Sequence, residues 1–507
     1  MDWQETGRVK RESIKALLPE CWRLPSIPSA EDVPNGSEFS KTVLTEREVH
    51  ITEHYTARTL LQALSSGSLS AVETIDAFCH RATIAHELTN CLSEVMFESA
   101  LNRAKELDQY YQAHGKPIGP LHGLPISLKD QFRVEGTETS LGYVSWLGET
   151  ETAESESWLV TKLRSLGAIF YCKTNVPTSL MAIETNNNII GYTTNALDRR
   201  LSSGGSSGGE ASLLAMRGSA SIRQPCAYSD LVGLKPSSGR MPYLRVANSM
   251  EGQQIVPSVI GPMAHTIEDL RLLFKTVLQL EPWTGDPSCL PIPWQSSAES
   301  EARRKIAAKT LTLGILRSDG VVRPHPPVSR AMDEAAALLR ANGIRLIDWH
   351  PPPHTEAFQI LWSTFALDSG TEIHTHLQRS HEPPIPELAI SYGSSPAHLP
   401  PRTLHDAWAL QTRKQAFQRR YNDYWRSTGV DAVLGPVRRA RRIGPGRGRY
   451  FGYTGVWTYD PEVFHGMPVG LQLVCQRLEE EKLLAIAEEV QRILLTPTAP
   501  TGFLQLS

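Results

Sequence analysis

The sequence has few cysteines, no strong excess of charge and no long apolar segment. Its 507 residues include 7 scattered cysteines, and no two of them form a CxxC pair. This argues against a disulfide framework and a cysteine-rich zinc site, and it favours a reducing compartment. The 51 lysines and arginines nearly balance the 54 aspartates and glutamates, for a net charge of −3. Such a balance gives no bulk attraction to DNA, RNA or an acidic membrane.

Two further absences narrow the class of protein. The N-terminus is too charged for a secretory signal peptide, and no apolar run approaches the ~18 residues of a membrane span. We therefore predict a cytoplasmic protein that binds neither nucleic acid nor membrane. Histidine is missing between residues 123 and 264, and the loose group of histidines between 350 and 381 lacks the HExxH spacing. We accordingly predict no metal and no other cofactor.

The hydrophobic pattern alternates between short apolar segments and segments with helical spacing. Residues 125–128, 169–172 and 469–474 read as strands, whereas residues 98–112 and 478–495 read as helices. This alternation predicts an α/β protein. Length alone suggests roughly three domains. Residues 438–449 carry six arginines; this segment is either a solvated loop or an RNA-binding arm, but no platform of aromatic side chains accompanies it.

A lysine at the end of the first predicted strand is the first candidate for chemistry. Lys129 follows an apolar segment, so it is expected to be partly desolvated, which lowers the pKa of its amine. A neutral amine at that position can act as a general base. The alternative is a surface lysine that pairs with Asp130.

A glycine-rich stretch, GGSSGG at residues 204–209, is the second candidate. Its glycines allow unusual backbone angles beside a ligand, and they are able to hold Ser206 next to a catalytic group. The alternative is a flexible linker. The stretch also satisfies the GxSxG pattern of an esterase, but that motif follows a buried strand, and the preceding residues 195–201 are polar. A third segment, Ser221-Ile-Arg-Gln-Pro, is unremarkable alone and typical of a structural turn.

Taken together, Lys129, the GGSSGG loop and Ser221-Ile-Arg resemble the amidase signature family of serine hydrolases. The similarity extends from about residue 50 to 495, and several segments resemble its fungal acetamidase or general amidase branch. These are GPLHGLPISLKDQF (119–132), YVSWLG (143–148), FYCKTNVP (170–177), NSMEGQQIVPSVIGP (248–262) and VFHGMPVGLQLV (463–474).

The resemblance implies one α/β/α domain with a mixed central sheet covered by helices, at residues 51–507, after an N-terminal arm at residues 1–50. It implies that Lys129 is the base, that Ser206 relays the proton from within a cis peptide, and that Ser221 is the nucleophile. Ser221 would form an acyl-enzyme with a small-molecule amide, and ammonia or an amine would leave. No metal or cofactor takes part, and self-association into a homo-oligomer stays open.

The sequence departs from the family pattern at two places. Ser206 and Ser221 are 15 positions apart, about nine fewer than the family pattern, which is the length of one strand and a turn. In the family this segment supplies the oxyanion-hole amides, and the loss of one such donor typically costs ~3–4 kcal/mol. A second gap lies near residues 456–463. We therefore expect the sheet to lack one or two strands.

These departures keep several functions open. The chain is an active amidase, or it is a catalytically impaired protein or a truncated gene model. An esterase would need a downstream Asp and His, whereas an amidotransferase-like subunit that takes ammonia from glutamine would need partner subunits. Substrate specificity is expected from residues 280–460. There Trp362, Phe365 and Trp457 are candidates for a pocket lining, with core packing as the alternative.

Overall fold

The computed structural model describes residues 2–217, 224–394, 402–437, 469–495 and 504–506. Most of the ordered elements are helices. In chain order they are α1 Trp3–Leu17, α2 Gly36–Val43, α3 Glu46–Glu53, α4 Ala57–Ser65, α5 Ala71–Thr89, α6 Phe97–His114, α7 Trp158–Ser165, α8 Gly208–Ala215, α9 Gln224–Ser229, α10 Ile267–Gln279, α11 Ser296–Ala307, α12 Pro326–Ala341, α13 His354–Phe365, α14 Thr371–Ser380, α15 Pro386–Tyr392, α16 Leu404–Thr428 and α17 Glu480–Leu494.

The strands of the described residues form three sheets. The strands are β1 Leu92–Val95, β2 Pro125–Lys129, β3 Ile169–Thr174, β4 Val232–Gly233, β5 Met263–Ala264, β6 Thr312–Ile315, β7 Arg345–Asp348, β8 Ala432–Pro436, β9 Val469–Val474 and β10 Leu504–Leu506. The first sheet has the order β1-β3-β2, the second β10-β9-β8-β6-β7, and the third pairs β4 with β5. β2 runs parallel to β3, whereas β1 runs antiparallel to it.

These mixed sheets covered by helices confirm the predicted α/β class. The strands predicted at 125–128, 169–172 and 469–474 are β2, β3 and β9, and the helices predicted at 98–112 and 478–495 are α6 and α17. The described strands are hydrogen-bonded in three separate sheets, whereas the prediction was one central sheet. Both predicted gaps fall next to or within residues 218–223 and 438–468, which lie outside the described residues.

Local sequence explains the elements that carry the site. Every residue of β2 and β3 is buried, which is typical of strands that helices cover on both faces and which accounts for their near-continuous apolar character. α5 begins where the Ser70 hydroxyl accepts from the Glu73 N–H, and this satisfies one otherwise free donor of the first turn. α6 ends at Gly115, whose φ of 65° suits glycine.

Two hydrophobic cores meet at the last long helix. The first core surrounds β1, β2 and β3, and it includes Leu484 of α17. The second lies against the five-stranded sheet and includes Ile486 and Val490 of the same helix. Arg240, which is buried, also binds α17 through the carboxylates of Glu480 at 2.7 Å and Glu481 at 2.6 Å. α17 is therefore part of both cores.

The N-terminal segment packs onto the first core instead of extending away from it. Ile14 and Leu18 are core residues, and Lys10 Nζ donates to the carboxylates of Glu94 at 2.5 Å and Glu138 at 2.6 Å. Residue 50, where we expected the arm to end, lies inside α3. Within the described residues no helix is long and apolar enough to cross a membrane.

Candidate active site

The site is built where the carboxyl ends of β2 and β3 lie side by side. Lys129 is the last residue of β2 and pairs in register with Thr174, the last residue of β3. In parallel sheets this edge is a common position for functional groups, because the loops that follow the strands converge there. The fold thus brings the segments around residues 129 and 174 together, although 45 positions separate them.

Lys129 lies inside the protein and contacts the serine that the sequence paired with it. Its side chain is buried, and Nζ donates a hydrogen bond of 2.8 Å to Ser206 Oγ. Burial lowers the pKa of Lys129 from 10.5 to about 7, against the opposing effect of the Glu210 and Asp130 carboxylates. A substantial fraction of the amine is therefore neutral near pH 7 and able to accept a proton.

The alternative interpretation of Lys129, a surface lysine paired with Asp130, is wrong. Asp130 faces Lys173 instead, with Oδ1 3.4 Å from Lys173 Nζ. Its other oxygen accepts from the backbone N–H groups of Ser140 and Leu141. Burial alone would raise the pKa of Asp130, but the charge of Lys173 and these donors lower it below its usual value. Asp130 therefore stays ionised within its own network.

The glycine-rich segment is a buried loop and not a flexible linker. It leads into α8, and the peptide bond between Gly205 and Ser206 is cis. A Cβ on Gly205 would lie 2.7 Å from the carbonyl oxygen of Ala182 and 2.9 Å from the amide nitrogen of Glu184. A Cβ on Gly209 would collide with the backbone of Asn175. The glycines are therefore required by close backbone packing around Ser206.

Glu210 is a buried ionisable residue that sequence reasoning missed. It lies in the first turn of α8 and is fully buried. Oε1 accepts a 2.5 Å hydrogen bond from Ser127 of β2, and Oε2 accepts a 2.6 Å bond from Thr174 of β3. Burial raises the pKa of Glu210 to about 7, whereas the hydroxyl donors and the charge of Lys129 lower it. The available signal was an acid in the otherwise small and apolar sequence of α8.

The third predicted residue, Ser221, lies outside the described residues. The description ends at Arg217 after α8 and resumes at Gln224, the first residue of α9. The arginine-rich stretch at 438–449 and Trp457 are also outside it. The structure therefore brings Lys129 and Ser206 together, while the position of Ser221 stays a prediction.

An apolar cluster borders the Ser206 loop. It includes Leu141, Tyr143, Ala182 and Met250, and the partly buried Phe365 packs against it. Since the Ala182 carbonyl is the group that approaches Gly205, this cluster is adjacent to the loop.

The remaining sequence candidates contribute less to the site. Trp362 is half-buried and its ring lies 6.1 Å from that of Phe358. Among the described residues no group of three His, Cys, Asp or Glu side chains is arranged to hold a metal ion.

The comparisons with known proteins all identify amidases. The model of the amidase family matches residues 73–450. An acetamidase from Aspergillus oryzae is 39% identical, over 97% of this chain and 99% of that protein. An acetamidase from Emericella nidulans is 38% identical, over 98% of this chain and 99% of its own length.

A solved structure of a fatty acid amide hydrolase shares the fold. It superimposes with a TM-score of 0.90 at 30% identity and covers 97% of this chain and 95% of its own. A bacterial aryl acylamidase of the amidase signature family matches with a TM-score of 0.69 at 17% identity, which is a likeness of fold alone.

The alignment also shows that the relatives are longer. The match to the Aspergillus oryzae protein spans 548 positions, whereas the chain has 507 residues. The difference, 548 − 507, leaves at least 41 positions without a counterpart in this chain. The match otherwise covers 97% of this chain and 99% of that protein. The chain therefore belongs to the amidase family of enzymes.

Proposed function

We propose that the protein hydrolyses a small carboxylic amide to a carboxylate and ammonia. The observation that carries this proposal is the 2.8 Å hydrogen bond from the buried Lys129 amine to Ser206 Oγ. It occurs in a chain that is 39% identical to a protein named acetamidase. A lysine with a pKa near neutrality, bonded to a serine hydroxyl, is the arrangement expected of a base that activates a nucleophile.

The proposed reaction uses Lys129, Ser206 and Ser221 in sequence. Neutral Lys129 accepts the proton of Ser206, and Ser206 takes the proton of Ser221. The Ser221 Oγ then attacks the carbonyl carbon of the amide and forms a tetrahedral adduct. When the adduct collapses, the C–N bond breaks, and the proton held by Lys129 returns through Ser206 to the nitrogen, which leaves as ammonia. Water then hydrolyses the Ser221 ester by the same relay and releases the carboxylate.

The proposed substrate class follows from the apolar cluster beside the loop that carries Ser206. The cluster of Leu141, Tyr143, Ala182 and Met250 is a buried apolar core adjacent to the loop that carries Ser206. An apolar surface favours an uncharged acyl group, since a buried carboxylate or amine would lack a partner there. We propose a short aliphatic or aryl primary amide, with the cytoplasm as the site of action. The seven cysteines are all free thiols, which suits a reducing compartment.

A second candidate function is supported by the length of the relatives. At least 41 of their positions have no counterpart here, and the spacing of Ser206 and Ser221 places one gap before the proposed nucleophile. If this gap removes oxyanion-hole donors, each lost donor lowers kcat by about 10²–10³-fold. The chain would then be a folded but catalytically impaired amidase.

The test is ammonia release by the purified chain from acetamide, a longer aliphatic amide, benzamide and indoleacetamide. We expect release by the parent chain and none by Ser221→Ala or Lys129→Ala. Lys116→Ala, which changes an exposed lysine, is the matched control and should equal the parent. Ammonia release that persists in Ser221→Ala contradicts the proposed mechanism.

An inactive parent chain separates the two candidates. A variant with a nine-residue strand and turn, copied from an active relative, is then inserted before Ser221. Recovery of ammonia release supports the impaired amidase, whereas continued inactivity of this folded variant rejects amide hydrolysis of these substrates.

A further inference from the structure

Glu210 is a buried carboxylate that the proposed reaction does not use. Its oxygens accept from two neutral hydroxyls, those of Ser127 and Thr174, at 2.5 and 2.6 Å. Neutral donors compensate only part of the cost of burying a negative charge. Among the described residues, the positive charge that acts on the carboxylate is that of Lys129, and the carboxylate acts on Lys129 in return.

The three elements of the site meet at this carboxylate. Ser127 lies two residues before Lys129 on β2, and Thr174 is the β3 residue in register with Lys129. Glu210 lies four residues after Ser206, at the start of the helix that follows the glycine loop. One side chain therefore connects both strands to the segment that carries Ser206.

We propose that Glu210 is a positioning residue that sets how strongly Lys129 Nζ holds a proton and that fixes the Ser206 loop against β2 and β3. This proposal rests on the proposed role of Lys129 as the base. When Lys129 takes the proton of Ser206 it becomes a cation in a buried site, where a fixed negative charge is worth most. Glu210 supplies that charge without contacting the substrate.

The other charged groups near the pair do not replace Glu210. The charge of Asp130 also acts on Lys129, but Asp130 is paired with Lys173 at 3.4 Å and accepts from backbone donors. The thiols of Cys91 and Cys172 lie near Glu210, and burial raises the pKa of both, which keeps them neutral. Lys129 and Glu210 therefore titrate as a coupled pair.

The first test is the pH profile of kcat/KM for Glu210→Gln, which keeps the size and one acceptor of the side chain. Without the negative charge Lys129 loses its proton at lower pH, so the acid limb should move down by about one pH unit or more. The plateau should fall about ten-fold or more, because a weaker base drives the transfer less well. KM should change little, since Glu210 does not touch the substrate.

The matched control is Glu382→Gln. Glu382 is also buried with a raised pKa, and it is held by neutral donors from Val144, Asn188 and Ser380. Its variant should keep the acid limb of the parent, whereas Glu210→Asp, which keeps the charge, should restore most of the limb position. An unmoved limb in Glu210→Gln, or an equal shift in Glu382→Gln, overturns the proposal.

A measurement without substrate distinguishes failure of this proposal from failure of the proposed function. The free energy of unfolding is measured from pH 6 to 10 for the parent, Glu210→Gln, Lys129→Met and the double variant. Coupling predicts that Glu210→Gln starts the rise in stability above neutrality at lower pH, and that Lys129→Met removes this rise with either residue at 210. An unchanged onset in Glu210→Gln rejects the coupling, whether or not the chain hydrolyses amides.

Discussion

The site residues beside the first sheet and a buried carboxylate beside the five-stranded sheet are held in opposite ways. Beside β2 and β3, Lys129 donates to a hydroxyl and Glu210 accepts from two hydroxyls, so among the described residues neither side chain forms an ion pair. Beside the five-stranded sheet, the buried Asp431 is paired with Lys305 at 2.6 Å, over a core of apolar side chains. In the first arrangement the pKa values of Lys129 and Glu210 both lie near 7, so protons are able to move near neutral pH. We infer that the first region performs chemistry and the second supports it.

The strongest way to break this comparison is to remove the amine. Lys129→Met should lower kcat/KM by about 10³-fold, within the range of a general base. The free energy of unfolding should change little, because the loss of a desolvated amine offsets the loss of its charge beside Glu210. Ammonia release and urea unfolding of the same preparation measure the two effects. Substantial activity in this variant would mean that the region is not the seat of the chemistry.

The converse change is made in the supporting region. Leu313 of β6 is fully buried in the second core, so Leu313→Ala should destabilise the protein by about 3 kcal/mol through a cavity. The kcat/KM of the folded fraction should stay within about two-fold of the parent. Urea unfolding gives the first value, and kinetics well below the transition give the second. A large loss of kcat/KM without loss of stability would contradict the division of roles.

The pH dependence of stability sharpens the comparison. The pKa of Glu210 is raised to about 7, so the folded state binds the extra proton, and stability falls as pH rises from 4.5 to 7. The pKa of Lys129 is lowered to about 7, so the unfolded state binds the extra proton, and stability rises from pH 7 to 10.5. At about 1.4 kcal/mol per pKa unit, the fall is at most about 3 kcal/mol and the rise at most about 5 kcal/mol, so the rise should be the larger change.

Thermal and urea unfolding across this range measure the minimum near pH 7. Glu210→Gln should remove the fall below pH 7, and Lys129→Met should remove the rise above it. If the stability minimum near pH 7 persists in the double variant, other groups produce it, and Lys129 and Glu210 do not titrate near neutral pH as proposed.

The smallest expected effect is on stability and concerns α16, which lies outside the two main cores. Thr403 and Asp406 form a capping box at the start of α16. Thr403→Ala should cost about 1 kcal/mol of stability and leave kcat/KM unchanged, as measured by thermal unfolding and ammonia release. A change in kcat/KM would place α16 closer to the chemistry than its position suggests.

Particular residues show how far the sequence leads. β2, β3 and α17 are predictable, because each has an apolar pattern that fits one kind of element. The contact of Lys129 with Ser206, 77 positions away, follows only from the family resemblance, since local pattern carries no information on such pairing. The burial of Glu210 and the pairing of Asp130 with Lys173 were missed for the same reason. An isolated acid in a helix is expected on the surface, and only the packed structure shows which elements enclose it.

The position of α17 has a consequence for how the protein is made. Residues of this helix enter both cores, with Leu484 in the first and Ile486 in the second, and Glu480 and Glu481 hold the buried Arg240. A ribosome that has already released Lys129, Ser206 and Glu210 has not yet supplied this helix. Arg240 therefore stays without these two carboxylate partners until α17 has emerged.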